Sequence, residues 1–466
     1  MEYDLIVVGS GPGGYVAAIR ASQLGMKVAI VEKENLGGVC LNWGCIPTKA
    51  LLKSAEVFHY LNHAAEYGFY TNEIAVDFPK IIDRSRGVAN KMSGGVNFLM
   101  KKNKIEVMEG TAKLLPNKKI EITTKEDKKT IGAKNIIIAT GARSRQLPSI
   151  PQDGKNIIGY REALNLKKQP KSMLIIGSGA IGSEFAYFYS SMGTEVILVE
   201  YFDKIVPNED HDISEFLEKS FKKKKIKVLT QSSVEKVKIK EEGKKSTVII
   251  KNLKNNEEEK YEVEVVLSAV GIVPNTENLG LEEIGIKKEK DGKIIVDEFN
   301  KTTIDGYFAI GDITKGPALA HVASAEGILC VEKMAGLNPQ SIDYKNIPAC
   351  TYTMPEIASV GLTEKQAIEA GHQIKIGKFP FSASGKATAN GDTEGFVKVI
   401  FSEKYGEWLG CHIIGKGATE LIAEAVVARK LETTGHEIIK SIHPHPTLSE
   451  AVMEAVAAAY NEVIHL

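Results

Sequence analysis

The segment Gly9-Ser-Gly11-Pro-Gly-Gly14 occurs again as Gly177-Ser-Gly179-Ala-Ile-Gly182, 168 residues further along the chain. Each copy follows a short apolar run that reads as a buried strand, residues 4–8 and 173–176, and each opens a helical stretch that stops at Gly25 or Gly193. A β-branched run follows, residues 28–31 and 196–199, closed by Glu32 or Glu200. The first glycine and the glutamate are 23 residues apart in both copies. One such glycine cluster is an ordinary strand–helix turn as easily as a binding loop; two in matched strand–turn–helix–strand context point to two dinucleotide sites. The first glycine makes the tight turn, the second lets the backbone approach a pyrophosphate, and the third lets helix pack on strand. The helix N-terminus then faces the anion, and the closing carboxylate accepts from a ribose 2′-hydroxyl. Glu200 thus favours NAD over NADP, because a 2′-phosphate would meet a carboxylate and only Lys204 is basic nearby.

A chain of 466 residues holds about three or four domains. The expected class is α/β, with two Rossmann-like dinucleotide-binding domains and a C-terminal α+β domain. Expected boundaries are 1–145 and 146–273 for the nucleotide domains, 274–346 for a central domain and 347–466 for the last. Lys+Arg and Asp+Glu number 59 each, so the net charge is zero, which argues against nucleic-acid or membrane-surface partners. No apolar run approaches the ~18–20 residues that cross a bilayer, and no signal-peptide pattern opens the sequence, so a cytoplasmic protein is expected.

Five cysteines in this length do not make a disulfide scaffold. Two are close: Cys40 and Cys45 lie in Gly37-Gly-Val-Cys-Leu-Asn-Trp-Gly-Cys-Ile-Pro-Thr-Lys49, just past Glu32. Five positions of regular helix rise ~7.5 Å, beyond the ~7 Å Cα separation that a disulfide bridges. A bridge therefore needs an irregular turn, which Gly44 can supply; Pro47 then suits the first turn of a following helix. The spacing also falls within zinc-ligand range, but Cys330, Cys350 and Cys411 are scattered singles, and no metal site is expected. Two inert buried thiols are the bland alternative. A redox-active pair fits the spacing and the adjacent nucleotide.

The segment 37–49, both fingerprints, Gly311-Asp312 and the run His443-Pro-His445-Pro-Thr-Leu-Ser-Glu450 together resemble the flavoprotein disulfide reductases, in order over essentially the whole chain. The resemblance implies FAD at the first fingerprint (Gly9, Gly11, Gly14), with Glu32 on its adenosine ribose, and NAD at the second (Gly177, Gly179, Gly182, Glu200). It implies further cofactor contacts at Ala112, at Thr140 and Gly141, at Asp312, at Ala320 and His321, and at Gly271. Lys49 would lie beside the flavin ring with Glu184 as its ion-pair partner. Cys40 would be the thiol that meets the substrate, Cys45 the thiol facing the flavin, His445 the base and Glu450 the group that orients it. His445–Pro446 is expected to be cis. Within the family, Cys-Leu-Asn-x-Gly-Cys-Ile-Pro-Thr-Lys with an NAD-type Glu200 most resembles the branch that oxidises dihydrolipoamide. That branch implies an obligate homodimer with composite sites, and a partner carrying the lipoyl group: the lipoyl-bearing E2 domain of a 2-oxo acid dehydrogenase, or the H protein of glycine cleavage.

The pattern departs from the family at Ile272, where Gly-Arg-x-Pro-Asn is usual. A related NADH oxidase or peroxidase, another disulfide reductase, and a flavoprotein serving as a structural subunit are the alternatives; two cysteines with a His/Glu pair argue against the oxidase. His443 reads as an ordinary surface residue. Residues 222–225 read as a solvated helix end balanced by Glu215 and Glu218. Ser449 is expected to cap a C-terminal helix.

Overall fold

In the computed structural model, which describes residues 2–70, 72–239 and 245–466, the chain divides into two compact units. The first comprises Met1–Ala50, Pro79–Arg145 and Gly271–Ile342; the second comprises Leu51–Phe78, Gln146–Val270 and Asp343–Leu466.

The first unit is built on a parallel sheet. Strands Glu106–Glu109, Val28–Glu32, Tyr3–Val8, Lys128–Ile138 and Tyr307–Ala309 lie side by side in that order. Tyr3–Val8, Val28–Glu32 and Tyr307–Ala309 are buried on both faces, which is why they read as near-continuous apolar runs rather than alternating ones, whereas Glu106–Glu109 at the edge is not buried. The strand Lys128–Ile138 serves two sheets: its first half pairs antiparallel with Lys119–Thr123, its second half joins the parallel array. The helix Ala320–Met334 packs on the helix Pro12–Gln23. A side chain at Gly327 would stand 2.7 Å from the Gly13 carbonyl oxygen, so glycine permits that approach.

The second unit repeats the motif. Strands Lys227–Leu229, Glu195–Val199, Ser172–Ile176, Val265–Ser268 and Ile157–Ile158 form a second parallel sheet. A three-stranded antiparallel sheet, Ser232–Lys238, Ser246–Asn252 and Glu258–Val263, follows it. The C-terminal segment supplies a five-stranded antiparallel sheet in the order Ala349–Thr351, Glu356–Gly361, Trp408–Gly415, Gly395–Ser402, Ile374–Pro380. Helices Ala418–Lys430 and Glu450–Ala459 pack on it. The alanine-rich face of the last helix meets Gly377 so closely that a Cβ there would lie 1.8 Å from the Ala455 carbonyl oxygen.

Lys398 sits in the middle of this sheet at 1% exposure. Its ammonium donates to Asp210 at 2.8 Å, Glu364 at 2.6 Å and Asp212 at 3.1 Å. Asp210 is also the N-cap of the helix His211–Lys223, accepting from the Asp212 N–H. Along that helix, Glu215–Lys219 and Glu218–Lys222 pair at the surface. The C-terminal helix starts differently from expectation. Ser449 occupies the N-cap position but has helical dihedrals and makes no side-chain cap, its hydroxyl instead meeting that of Thr447 at 2.8 Å.

Candidate active site

The cysteines flank a break between two helices. Gly38–Trp43 ends at Gly44 (φ −144°, ψ −115°), and Cys45 opens the helix Cys45–Asn62. The two side chains are present as thiols in hydrogen-bond contact. That bond, together with burial, pushes the Cys40 thiol up, while Lys49 pulls it down. Cys45 is exposed at a helix N-terminus, where the helix dipole favours a thiolate. Lys49 lies four residues on, in the same helix. The break makes the approach possible: in one continuous helix the sulfurs would stand a turn and more apart.

The two glycine fingerprints have the same local construction. Gly9 and Gly177 have φ of +99° and +95°, and a Cβ on either would fall 2.3 or 2.5 Å from the carbonyl oxygen of Ala139 or Ala269. A Cβ on Gly14 or Gly182 would collide with the carbonyl oxygen of Gly9 or Gly177 at 2.0 or 1.9 Å. The middle glycines differ: beyond Gly11 and Gly179 nothing lies within 4 Å. These two residues are the N-caps of twelve-residue helices that receive no side-chain cap. Each site therefore presents uncapped helix N–H groups at a backbone with open space before it, the shape a pyrophosphate requires.

Each closing glutamate is held by its own fingerprint. Glu32 Oε2 accepts from the Ser10 N–H at 2.9 Å and hydroxyl at 2.6 Å, and Oε1 accepts from the Glu34 N–H at 2.8 Å. Glu200 repeats this with Ser178 at 2.9 and 2.6 Å and the Phe202 N–H at 2.9 Å. The serine shared by both Gly-Ser-Gly triplets is thus a site residue that sequence reasoning passed over, although its repetition was visible.

The remaining residues of the first unit gather from separate strands and turns. Thr140 donates to the Asn275 carbonyl at 2.7 Å, and the Asn275 amide returns a bond to the Thr140 carbonyl at 3.0 Å. Asp312 follows the strand Tyr307–Ala309 in a short 3₁₀ turn, and burial pushes its carboxyl up against a weaker downward pull from Lys293. The Gly311 N–H donates to Glu326, a buried carboxylate, at 2.6 Å. Ala320 and His321 open the helix Ala320–Met334, and Ala112 is buried in the strand Thr111–Leu115. Gly271 has φ +100°, and Ile272 pairs with Ser144 across a two-stranded ladder. On the facing strand, Arg143 stands opposite Val273 and donates to the Pro274 carbonyl, to Asn275 and to Glu277.

In the second unit Glu184 is 5% exposed, and its Oε1 accepts from the Tyr352 N–H at 3.0 Å. His445 Nδ1 lies 2.8 Å from Glu450 Oε1, and the imidazole is 78% exposed. Burial pushes the Glu450 carboxyl up, but bonds from the Thr447 N–H and from His445 outweigh it and hold the group below its ordinary range. His445–Pro446 is cis. His443 is otherwise engaged, between Glu424 at 2.8 Å and the Ser441 carbonyl at 2.9 Å. Among the described residues no group of three or more His, Cys, Asp or Glu side chains is placed to hold a metal ion.

The family model for pyridine nucleotide-disulphide oxidoreductases matches residues 3–327, and the model for the dimerisation domain of the same proteins matches residues 347–456. The chain belongs to the pyridine nucleotide-disulphide oxidoreductases. Among relatives of this oxidoreductase, the dihydrolipoyl dehydrogenase of Zymomonas mobilis is 49% identical over 100% of this chain and 99% of its own length. That of Bacillus subtilis is 44% identical over 100% and 99%. Two solved structures share the fold at 27% identity. They are LpdA from Mycobacterium tuberculosis (TM-score 0.90, covering 97% of this chain and 98% of that one) and the HOCl-induced flavoprotein disulfide reductase RclA from Escherichia coli (0.87, 98% and 99%). As a pyridine nucleotide-disulphide oxidoreductase, the protein uses FAD and NAD. The open, uncapped helix starts at Gly11 and Gly179 fit both cofactors. No helix among the described residues is long and apolar enough to cross a membrane.

Proposed function

We propose that the protein oxidises protein-bound dihydrolipoamide to lipoamide and reduces NAD⁺, the activity of a dihydrolipoyl dehydrogenase. The observation that carries this reading is the pair of thiols in contact across the Gly44 break, next to a nucleotide fingerprint. Gly9, Gly11, Gly14, Glu32, Ala112, Thr140, Gly141, Asp312, Ala320 and His321 hold FAD, and Lys49 stands by its ring. Gly177, Gly179, Gly182, Glu200 and Gly271 serve the NAD side, and Glu184 is the ion-pair partner of Lys49. Residues 1–145 form the FAD domain, 146–273 the NAD domain, 274–346 complete the FAD site, and 347–466 form the dimer interface.

The reaction uses the chain's own groups in order. Glu450 accepts only, so it fixes a proton on His445 Nδ1 and leaves Nε2 as the base. Nε2 takes the proton of one substrate thiol, and the resulting thiolate attacks Cys40 Sγ of the oxidised pair. A mixed disulfide forms and Cys45 leaves as a thiolate, favoured by the helix N-terminus. The second substrate thiol gives its proton to the departing Cys40 sulfur and attacks the substrate sulfur of the mixed disulfide, which breaks its bond to Cys40 and releases lipoamide. Two electrons have passed from substrate to the cysteine pair. FAD, held at the first fingerprint with Lys49 beside its ring, would supply two-electron carriage between the cysteine pair and an NAD⁺ held at the second fingerprint. The protein works as a homodimer in which His445 of one copy serves the cysteine pair of the other. The lipoyl group arrives on a separate chain, the E2 lipoyl domain of a 2-oxo acid dehydrogenase or the glycine-cleavage H protein. A cytoplasmic setting goes with this chemistry, since NAD⁺ is an intracellular carrier.

The test is anaerobic reduction of the holoenzyme by dihydrolipoamide. Two-electron reduction is expected to give a long-wavelength thiolate-to-flavin absorption band that is lost in Cys45→Ser. An unchanged spectrum in that variant would remove Cys45 from the mechanism, and preference for glutathione or thioredoxin in steady state would change the substrate.

A further inference from the structure

We infer that Arg86 is a positioning residue for the redox pair, setting the dithiol–disulfide balance by holding the helix break between Cys40 and Cys45. This rests on the reading of that pair as the working redox centre. Three consecutive residues of the helix Phe78–Lys102 reach carbonyls on both sides of Gly44. Arg84 donates to the Ala50 carbonyl at 2.7 Å, Ser85 to that of Pro47 at 2.8 Å, and Arg86 to that of Asn42 at 2.6 Å. Asn42 is one residue short of the end of Gly38–Trp43, so its carbonyl is one of those a helix terminus leaves without an intrahelical partner.

Arg86 does more than donate one bond. Its guanidinium lies over the Trp43 ring, 4.4 Å from the centroid. Asn42 itself is 4% exposed and bonds with its amide to the Leu36 and Gly38 carbonyls at 3.0 and 2.9 Å. The loop between the cysteines is thereby fixed from inside by Asn42 and from outside by Arg86. Arg86 Nη1 is buried with no hydrogen-bond partner. A buried donor left unpaired costs free energy, so the fork is held there by geometry and not by saturation of its hydrogen bonds.

The effect is positional. Among the named influences on the Cys40 thiol, Lys49 is the cation that pulls it down. Disulfide formation needs the two Cα atoms within a narrow separation, whereas the dithiol tolerates a wider one. Loosening the break therefore disfavours the disulfide. The planar stack and the fork are guanidinium properties that an ammonium does not reproduce.

The experiment equilibrates the holoenzyme with glutathione, in which one disulfide and two glutathione thiols exchange for the enzyme dithiol and oxidised glutathione. Arg86→Met and Arg86→Lys should both shift that constant toward the dithiol by about tenfold, equal to about 30 mV for two electrons. Trp43→Leu, which leaves the Arg86 bond in place, should shift it in the same direction by less. The pH dependence of thiol alkylation should be unchanged in Arg86→Met. NADH-dependent reduction of ferricyanide, which does not require the cysteine pair, reports whether each variant still folds and holds its cofactors. A constant within twofold of wild type in both Arg86 variants overturns the proposal, and so does full rescue by lysine, which would assign the effect to charge. A wild-type protein that forms no disulfide in the titration would instead overturn the redox assignment of the pair.

Discussion

His445 Nδ1 and Glu450 Oε1 stand 2.8 Å apart, and the other oxygen of the same carboxylate accepts from the Thr447 N–H at 2.8 Å. The second bond locks the carboxylate, and the locked carboxylate locks the ring. His445→Gln should lower dihydrolipoamide turnover by about 10²–10⁴-fold, the usual range for a lost general base. Glu450→Gln should lose less, because an amide oxygen still accepts from Nδ1–H but brings no charge to stabilise the imidazolium. Both variants should keep NADH-dependent ferricyanide reduction. Wild-type turnover in Glu450→Gln would deny the pair its role.

The fingerprint glycines divide into two mechanical classes. Gly14→Ala and Gly182→Ala put a methyl group 2.0 and 1.9 Å from backbone oxygens, and should fail to give folded protein. Gly11→Ala and Gly179→Ala meet no protein atom within 4 Å. These should fold with near-native thermal stability, while Gly11→Ala loses FAD on gel filtration and Gly179→Ala weakens NADH binding by tenfold or more. Tight NADH binding by Gly179→Ala, measured by fluorescence titration, would move the pyrophosphate elsewhere.

Much of this was legible because the signals are local. The duplicated fingerprint, the Gly44 break and the His445–Glu450 spacing each fall within a few residues of chain, and geometry follows from spacing there. What the sequence hid is long-range. Arg86 reaches Asn42 across 44 positions, and nothing in the residues around it marks that reach. Lys398 lies in Gly395–Ser402, whose eight residues are all buried, and one carboxylate that holds it, Asp210, is 188 positions away. Ser449 misled for a different reason: the residue is at the expected position, but its hydroxyl meets that of Thr447 and caps no helix N–H.

Glu209 gives the fold a pH signature. Burial pushes its carboxyl from the ordinary 4.5 up to about 7, against downward pulls from Ser359 and Lys204, and its Oε2 has no hydrogen-bond partner. The folded state therefore holds a proton that the unfolded chain releases between those values. Stability from this group is present below pH ~4.5 and lost as pH rises through ~7, by on the order of 3 kcal/mol. Glu209→Gln should match wild type in thermal unfolding near pH 5 and exceed it at pH 8. Equal melting temperatures at pH 8 would show that the carboxylate is not penalised.

The Lys398 ammonium also limits how the protein can be cut. The dimerisation model begins at residue 347, as though the C-terminal segment were a separable module. Excised there, the segment would keep Glu364 but lose Asp210 and Asp212, leaving a cation in the middle of an eight-residue buried strand with one carboxylate in place of three. Breaking a buried pair this way is strongly unfavourable. The boundary that a family model draws is thus not one at which this chain can be divided into two soluble halves, and a fragment meant for dimerisation studies has to begin upstream of the helix His211–Lys223.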